Sequence, residues 1–280
     1  MTEKASPLRE RALHVPGQSL DETINRLWDD RGLAYFTYAM GFFGIAIWEW
    51  LRWFRPSVTA PWLTTAIAML VVAYSVRGLL RIRRQTDQLK LGRDGERAVA
   101  EVLDGLKASG CVVFHDIVGN GFNVDHVVLG PGGIFAIETK TVRKSRDGSR
   151  QEIVRLDRGR ITAGGAELGS APLEQAGMSA NSIRELLKES TGKTFPVKPC
   201  VVFPDWFVEE APREGWVLNP KRLAGFIRNE PRCMTNEELH MAAFHLSAYI
   251  RSPWACEDKG LAKKILGWRQ RPHVHAGAAH

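Results

Sequence analysis

The sequence predicts a mixed α/β domain, one central sheet flanked by helices, preceded by a two-helix transmembrane hairpin. Three observations carry this. Residues 33–48 and 58–76 contain no charged side chain. Residues 111–118, 124–129 and 134–140 read as short strands between stretches of helical periodicity. Gly130, Pro131, Gly132 and Gly133 form a strong turn signal between the second and third of these strands.

The composition bounds the possibilities. The chain has 280 residues with 44% hydrophobic and 25% charged, which excludes a disordered, collagenous or low-complexity protein. Cys111, Cys200, Cys233 and Cys256 are isolated from one another, so neither a disulfide framework nor a zinc ribbon is expected. A net charge of +7 points towards acidic partners.

Residues 1–32 are polar. Ser19 and Glu22 have capping-box spacing, and Ile24, Leu27 and Trp28 follow at helical intervals, which predicts a short amphipathic helix over 19–31 lying at an interface. The apolar run begins too late for a signal peptide. A membrane helix needs roughly 20 apolar residues. The run 58–76 meets this, and the run from 33 does so if it extends to Leu51 or Trp53. Trp48, Trp50, Trp53 and Trp62 crowd the intervening turn, as aromatic residues do at a membrane boundary. The hairpin is expected over 33–80. Arg77, Arg81, Arg83 and Arg84 open a basic segment that continues as a linker over 81–92 and suits anionic headgroups. The turn carries only Arg52 and Arg55, so the positive-inside rule places both termini and the following domain in the cytoplasm, on a multi-pass protein of the inner membrane.

A helix is expected from about Gly95 to Leu106, followed by the three-strand meander. Residues 141–169 read as an irregular basic loop and a small hairpin around Asp157, Arg158 and Gly159. A helix from Pro172 to about Lys188, a strand over 197–203 and two late helices near 220–228 and 236–250 complete the domain. The expected divisions are a domain over 93–205, a helical extension over 206–260 and a basic, flexible tail over 261–280.

The segment 124–140 carries the chemistry. With the turn at Gly130–Gly133, Leu129 faces Ile134, Val127 faces Ala136 and Asp125 faces Glu138 across an antiparallel pair. Carboxylates so placed have Cβ atoms about 4.5–5.5 Å apart and repel unless a cation compensates. Lys140, two residues beyond Glu138, shares its face. Mg²⁺, with Mn²⁺ as a substitute, explains two carboxylates among apolar neighbours better than a salt bridge does. Glu96, at the edge of an apolar helical stripe, can supply a third acidic ligand. Gln175, in the first turn of the helix after Pro172, can contact substrate or a metal-bound water. His126 alternates to the opposite face and is expected to be packed or hydrogen-bonded.

In order along the chain, Gly95-Glu96, the strand from Asn123 through Asp125, the strand from Gly133 through Glu138 to Lys140, and Gln175 resemble the nuclease-related domain (NERD). That domain is similar to the PD-(D/E)XK restriction-endonuclease-like superfamily. The resemblance covers about 93–205 and implies a restriction-endonuclease-like core and Mg²⁺-dependent nuclease activity. By that pattern Asp125 and Glu138, with Glu96, ligate metal, Lys140 serves the attacking water, and Gln175 completes the site. The basic run over 141–150 departs from the pattern, which expects a short loop with Gly and Trp.

Lys140, Arg143, Lys144, Arg146, Arg150, Arg155, Arg158 and Arg160 crowd one stretch, opposed only by Asp147, Glu152 and Asp157. Beside two carboxylates they suit a phosphate backbone, with Arg143, Lys144, Arg146 and Arg150 as the nucleic-acid contacts. The expected function is a membrane-anchored nuclease hydrolysing DNA, ahead of RNA, on the cytoplasmic side, with homo-oligomerisation open. The alternative is a catalytically silent, membrane-tethered nucleic-acid-binding or scaffold module.

Overall fold

The computed structural model describes residues 13–53, 61–119, 121–143, 152–209 and 216–252. These fall into two compact units, one over Ser19–Arg93 and one holding the chain from Asp94 together with the residues before Ser19.

The first unit is helical. Helix α1 (Gln18–Leu27) leads through a π turn (Trp28–Gly32) into α2 (Leu33–Trp53), and α3 spans Pro61–Asp104. The apolar side of α1, Leu20, Ile24 and Leu27, is buried with Leu89 of α3, so its partner is protein rather than an interface. Ser19 lies inside the helix, where its carbonyl accepts the Thr23 hydroxyl at 2.8 Å.

Contacts at both ends show that α2 and α3 run antiparallel. Tyr35 meets Tyr74 edge-on with centroids 5.7 Å apart. A Cβ on Gly78 would come within 2.5 Å of Tyr35 Cζ, so this approach requires glycine. At the other end Trp50 Nε1 donates to Thr65 Oγ1 at 2.7 Å, and its ring lies 4.9 Å from that of Trp62.

The helix expected to begin near Gly95 is instead the last part of α3, and residues 81–92 are helical within it. The change from apolar to basic composition after Val76 is a change of surroundings, not of backbone preference. Arg, Lys, Gln and Leu are all good helix formers, and no proline interrupts them. Among the described residues one helix, Pro61–Ser109 with its terminal turn, is long and apolar enough to cross a membrane, and 17% of its most apolar stretch is buried. Helix α2 is richer in Trp and Tyr and carries Glu49 and Arg52 as an ion pair at 3.6 Å.

The second unit is α/β. Strands β1 (Val112–Gly119), β2 (Phe122–Gly130) and β3 (Gly133–Thr139) form an antiparallel meander. Strand β7 (Val197–Val202) adds parallel to β3, and β9 (Trp216–Leu218) parallel to β7. The order is β1-β2-β3-β7-β9. One sheet was expected, but a second forms, in the order β6-β5-β4-β8, from β4 (Ile153–Asp157), β5 (Arg160–Ala163), β6 (Ala166–Gly169) and β8 (Phe207–Val208). The β4–β5 hairpin was expected around Asp157–Gly159, whereas β6 and β8, of four and two residues, are too short to show a period of two.

Helices cover both faces of the larger sheet. On one, Val127, Leu129, Ile134 and Ala136 meet Ala180, Ile183 and Leu187 of α4 (Ala171–Thr191) and Leu239, Ala242 and Leu246 of α6 (Asn236–Arg251). On the other, Val128, Phe135 and Ile137 meet Val99 and Leu103 of α3 and Leu223 and Ile227 of α5 (Pro220–Asn229). The smaller sheet packs Val154, Ile161 and Val208 against Val201, Phe203 and Ala176.

Candidate active site

Gly130 pairs with Gly133 around a two-residue turn, and the ladder runs through Leu129–Ile134, Val128–Phe135, Val127–Ala136 and His126–Ile137. This is the expected register as far as it runs, and it stops one step short of Asp125 and Glu138. Both are buried, Asp125 at 2% and Glu138 at 0% exposure. They are not a ladder pair. Asp125 Oδ2 accepts the backbone N–H of Thr139 at 2.8 Å, so a carboxylate continues the hydrogen bonding where the main-chain ladder stops.

The other side of β2 is irregular at the same place. His115 pairs with His126 and Ile117 with Val124, but Asp116 and Asp125 between them form no pair. Asp116 has φ of +51° and is 1% exposed. Val124 and Val127 join the same core, so strict alternation breaks at Asp125. Irregularities of this kind re-aim side chains beside functional sites. Sequence reasoning did not single out Asp116. Its signal was an acid within a largely apolar strand.

Glu138 anchors a closed set of hydrogen bonds. Its Oε1 accepts from Lys140 Nζ at 2.9 Å and from Gln175 Nε2 at 2.6 Å, and Lys140 Nζ also donates to Gln175 Oε1 at 2.6 Å. Gln175 comes from the first turns of α4, which has Pro172 at its start, and Lys140 follows β3 with its backbone N–H on Val202 O at 2.8 Å. Glu138 Oε2 is buried without a hydrogen-bond partner. A fully buried carboxylate with one bare oxygen is costly, and the Lys140 ammonium offsets only part of that cost.

Glu96 lies on α3 and is 3% exposed. Gly95 before it abuts the end of β3, where a Cβ would collide with Thr141 Cγ2 and come 3.3 Å from Pro204 Cγ. The Gly-Glu pair therefore has a packing reason for its glycine. Among the described residues no three His, Cys, Asp or Glu side chains are gathered to hold a metal ion, so Glu96, Asp125 and Glu138 do not form a preassembled ligand set. The bare, buried Oε2 of Glu138 leaves one carboxylate oxygen that a small cation would fit.

Arg143 is exposed, whereas Lys144, Arg146 and Arg150 lie outside the described residues. Arg155 and Arg160 are ion-paired with Glu209 and Glu167, and Arg158 occupies the β4–β5 turn with φ of +46°.

His126 is packed on the opposite side of the sheet, as expected. Its Nδ1 lies 2.9 Å from His115 Nδ1, and His115 Nε2 lies 3.1 Å from Asp104 Oδ1. Burial, reinforced by His115, pushes the His126 imidazole down to about 3. Burial also lowers His115, against the pull of Asp104. Both rings are neutral at pH 7, so they place no positive charge behind the acids.

The nuclease-related domain (NERD) family model matches residues 91–204. The NERD match begins within α3 and ends just after β7, so it contains Glu96, Asp125, Glu138, Lys140 and Gln175. Strands β8 and β9 and helices α5 and α6 lie beyond it. No curated protein and no solved structure matches the chain.

Proposed function

We propose that the protein is a membrane-anchored, Mg²⁺-dependent nuclease that hydrolyses phosphodiester bonds of DNA on the cytoplasmic side. The observation that carries this reading is Glu138, wholly buried, with one oxygen on Lys140 and Gln175 and the other bare. The NERD match over the same residues supports it.

Asp125 and Glu138 would hold the Mg²⁺, with Glu96 as a further acid; Mn²⁺ would substitute. When bound, the ion supplies a more acidic water and offsets charge developing on the phosphodiester. The chain's own groups position the reaction. Gln175 fixes Glu138 and Lys140 relative to each other. Lys140, fastened through its main chain to β7, presents an ammonium to the attacking water or to the phosphoryl oxygens. The exposed Arg143 and the basic residues after it would hold the phosphate backbone without reading bases.

Anchoring rests on the apolar surface of α2 and α3, which as an antiparallel pair would cross the bilayer twice. Both termini then face the cytoplasm, as the distribution of basic residues requires. The second reading, a catalytically silent tethered module, draws on the absence of a three-acid ligand group among the described residues.

The test is cleavage of labelled DNA and RNA by the full chain in detergent with Mg²⁺, Mn²⁺ or EDTA. Cleavage of DNA with Mg²⁺, abolished in Glu138→Gln and Asp125→Asn, is expected. Wild-type protein that binds DNA but cuts neither polymer with either metal would establish the silent module instead.

A further inference from the structure

The helical unit contains a groove between the π turn with the start of α2 and the middle of α3. Its volume is about 560 Å³. Trp28, Leu33, Phe36, Val76, Leu79 and Leu80 give it apolar walls, and Asp29 and Arg83 are its charged residues. The walls are set in advance. Trp28 Nε1 donates to Thr86 Oγ1 at 3.1 Å, and a Cβ on Gly32 would come 2.7 Å from Trp28 Cε3, so glycine is needed to seat the ring. Asp29 and Arg83 take part in no ion pair among the described residues, with each other or with a neighbour.

An apolar groove with one unneutralised acid and one unneutralised base selects among lipid heads. A guanidinium grips phosphate through paired N–H donors. A carboxylate accepts hydrogen bonds from a primary ammonium, whereas a quaternary ammonium has none to give. A purely anionic head would meet Asp29 with like charge. We propose that the groove binds one phospholipid with a phosphoethanolamine head. The phosphate lies on Arg83, the ammonium on Asp29, and an acyl chain follows Leu33, Phe36, Val76 and Leu80. A preformed wall lowers the ordering cost of such binding. The inference rests on the membrane anchoring proposed above.

The experiment uses the full chain, delipidated in detergent. It is offered equal amounts of phosphatidylethanolamine, phosphatidylglycerol and phosphatidylcholine with identical acyl chains, and retained lipid is counted by native mass spectrometry. Phosphatidylethanolamine should be retained about fivefold over each of the others, equivalent to about 1 kcal/mol. Asp29→Asn should reduce it to the level of phosphatidylcholine, and Arg83→Gln should reduce all three. Equal retention by the wild type, or a preference for phosphatidylglycerol that Asp29→Asn leaves unchanged, overturns the site. Carbonate washing of membranes separates anchoring from headgroup selection. Release of the chain overturns the anchoring and the site together. A chain that resists the wash without a headgroup preference overturns the site alone.

Discussion

Val127, Leu129, Ile134 and Phe135 of the α/β unit are at 0% exposure, while Trp48, Leu63 and Leu70 of the helical unit stand 62–72% exposed. The same kinds of side chain point inward in one unit and outward in the other. In water the second arrangement forfeits the main driving force for folding. In a bilayer it is the expected one, because a helix satisfies its own backbone and needs no buried core. The helical unit instead relies on close approach, Gly78 against Tyr35, and on tryptophan and threonine hydrogen bonds.

Substitutions can break this contrast. Leu129→Ala removes methyl groups from a closed core and should cost the α/β unit about 2–5 kcal/mol. Leu70→Ala should leave its unfolding midpoint unchanged, and chemical denaturation of the full chain compares the two. Leu70→Arg addresses the solvent of α3 directly. At the centre of a spanning helix it should cost about 2.5–3.5 kcal/mol and reduce membrane insertion in a fractionation assay. An effect below about 0.5 kcal/mol would mean that this surface faces water.

A smaller effect is expected at Gly95. Its replacement by Ala drives a methyl into Thr141 Cγ2, at about 1–3 kcal/mol. Thr141→Ser in the same chain should restore most of the loss, which thermal unfolding of single and double variants would show. A dependence on pH is also expected. His126 has its pKa depressed in the folded state, so the unfolded chain binds more protons below its ordinary value near 6.5. Stability is then complete above about pH 6.5 and declines towards pH 3 by at most about 1.4 kcal/mol per unit. His126→Leu should flatten that slope, read by hydrogen exchange of the β2 amides.

The β2–β3 register was legible because four consecutive turn residues left one compact way to close the hairpin. That placed Asp125, Glu138 and Lys140 together and sent His126 to the other side. Gln175 was legible only as a helix-start residue, and its bonds to Glu138 and Lys140 depend on tertiary packing. Asp116 escaped notice because a positive φ breaks the alternation on which face assignment rests. The β4–β5 hairpin of the smaller sheet was legible from its turn at Asp157–Gly159, but β6 and β8, which make it a sheet, are too short to carry a period. The unity of α3 escaped because its composition turns from apolar to basic after Val76, although no residue there stops a helix.

The pairing of β3 with both β2 and β7 also sets an order in time. The β2–β3 hairpin closes through two residues, a process of about 1–10 μs. The parallel pairing of Ile134 with Val197 must wait for the smaller sheet's hairpin and the α4 crossover to be made. Asp125 and Glu138 therefore stand on paired strands early in folding. Gln175 arrives with the crossover, and Lys140 is fastened only when the carbonyl of Val202 is in place. A nascent chain halted at residue 196 would own every residue of the site and still lack the strand that holds them together.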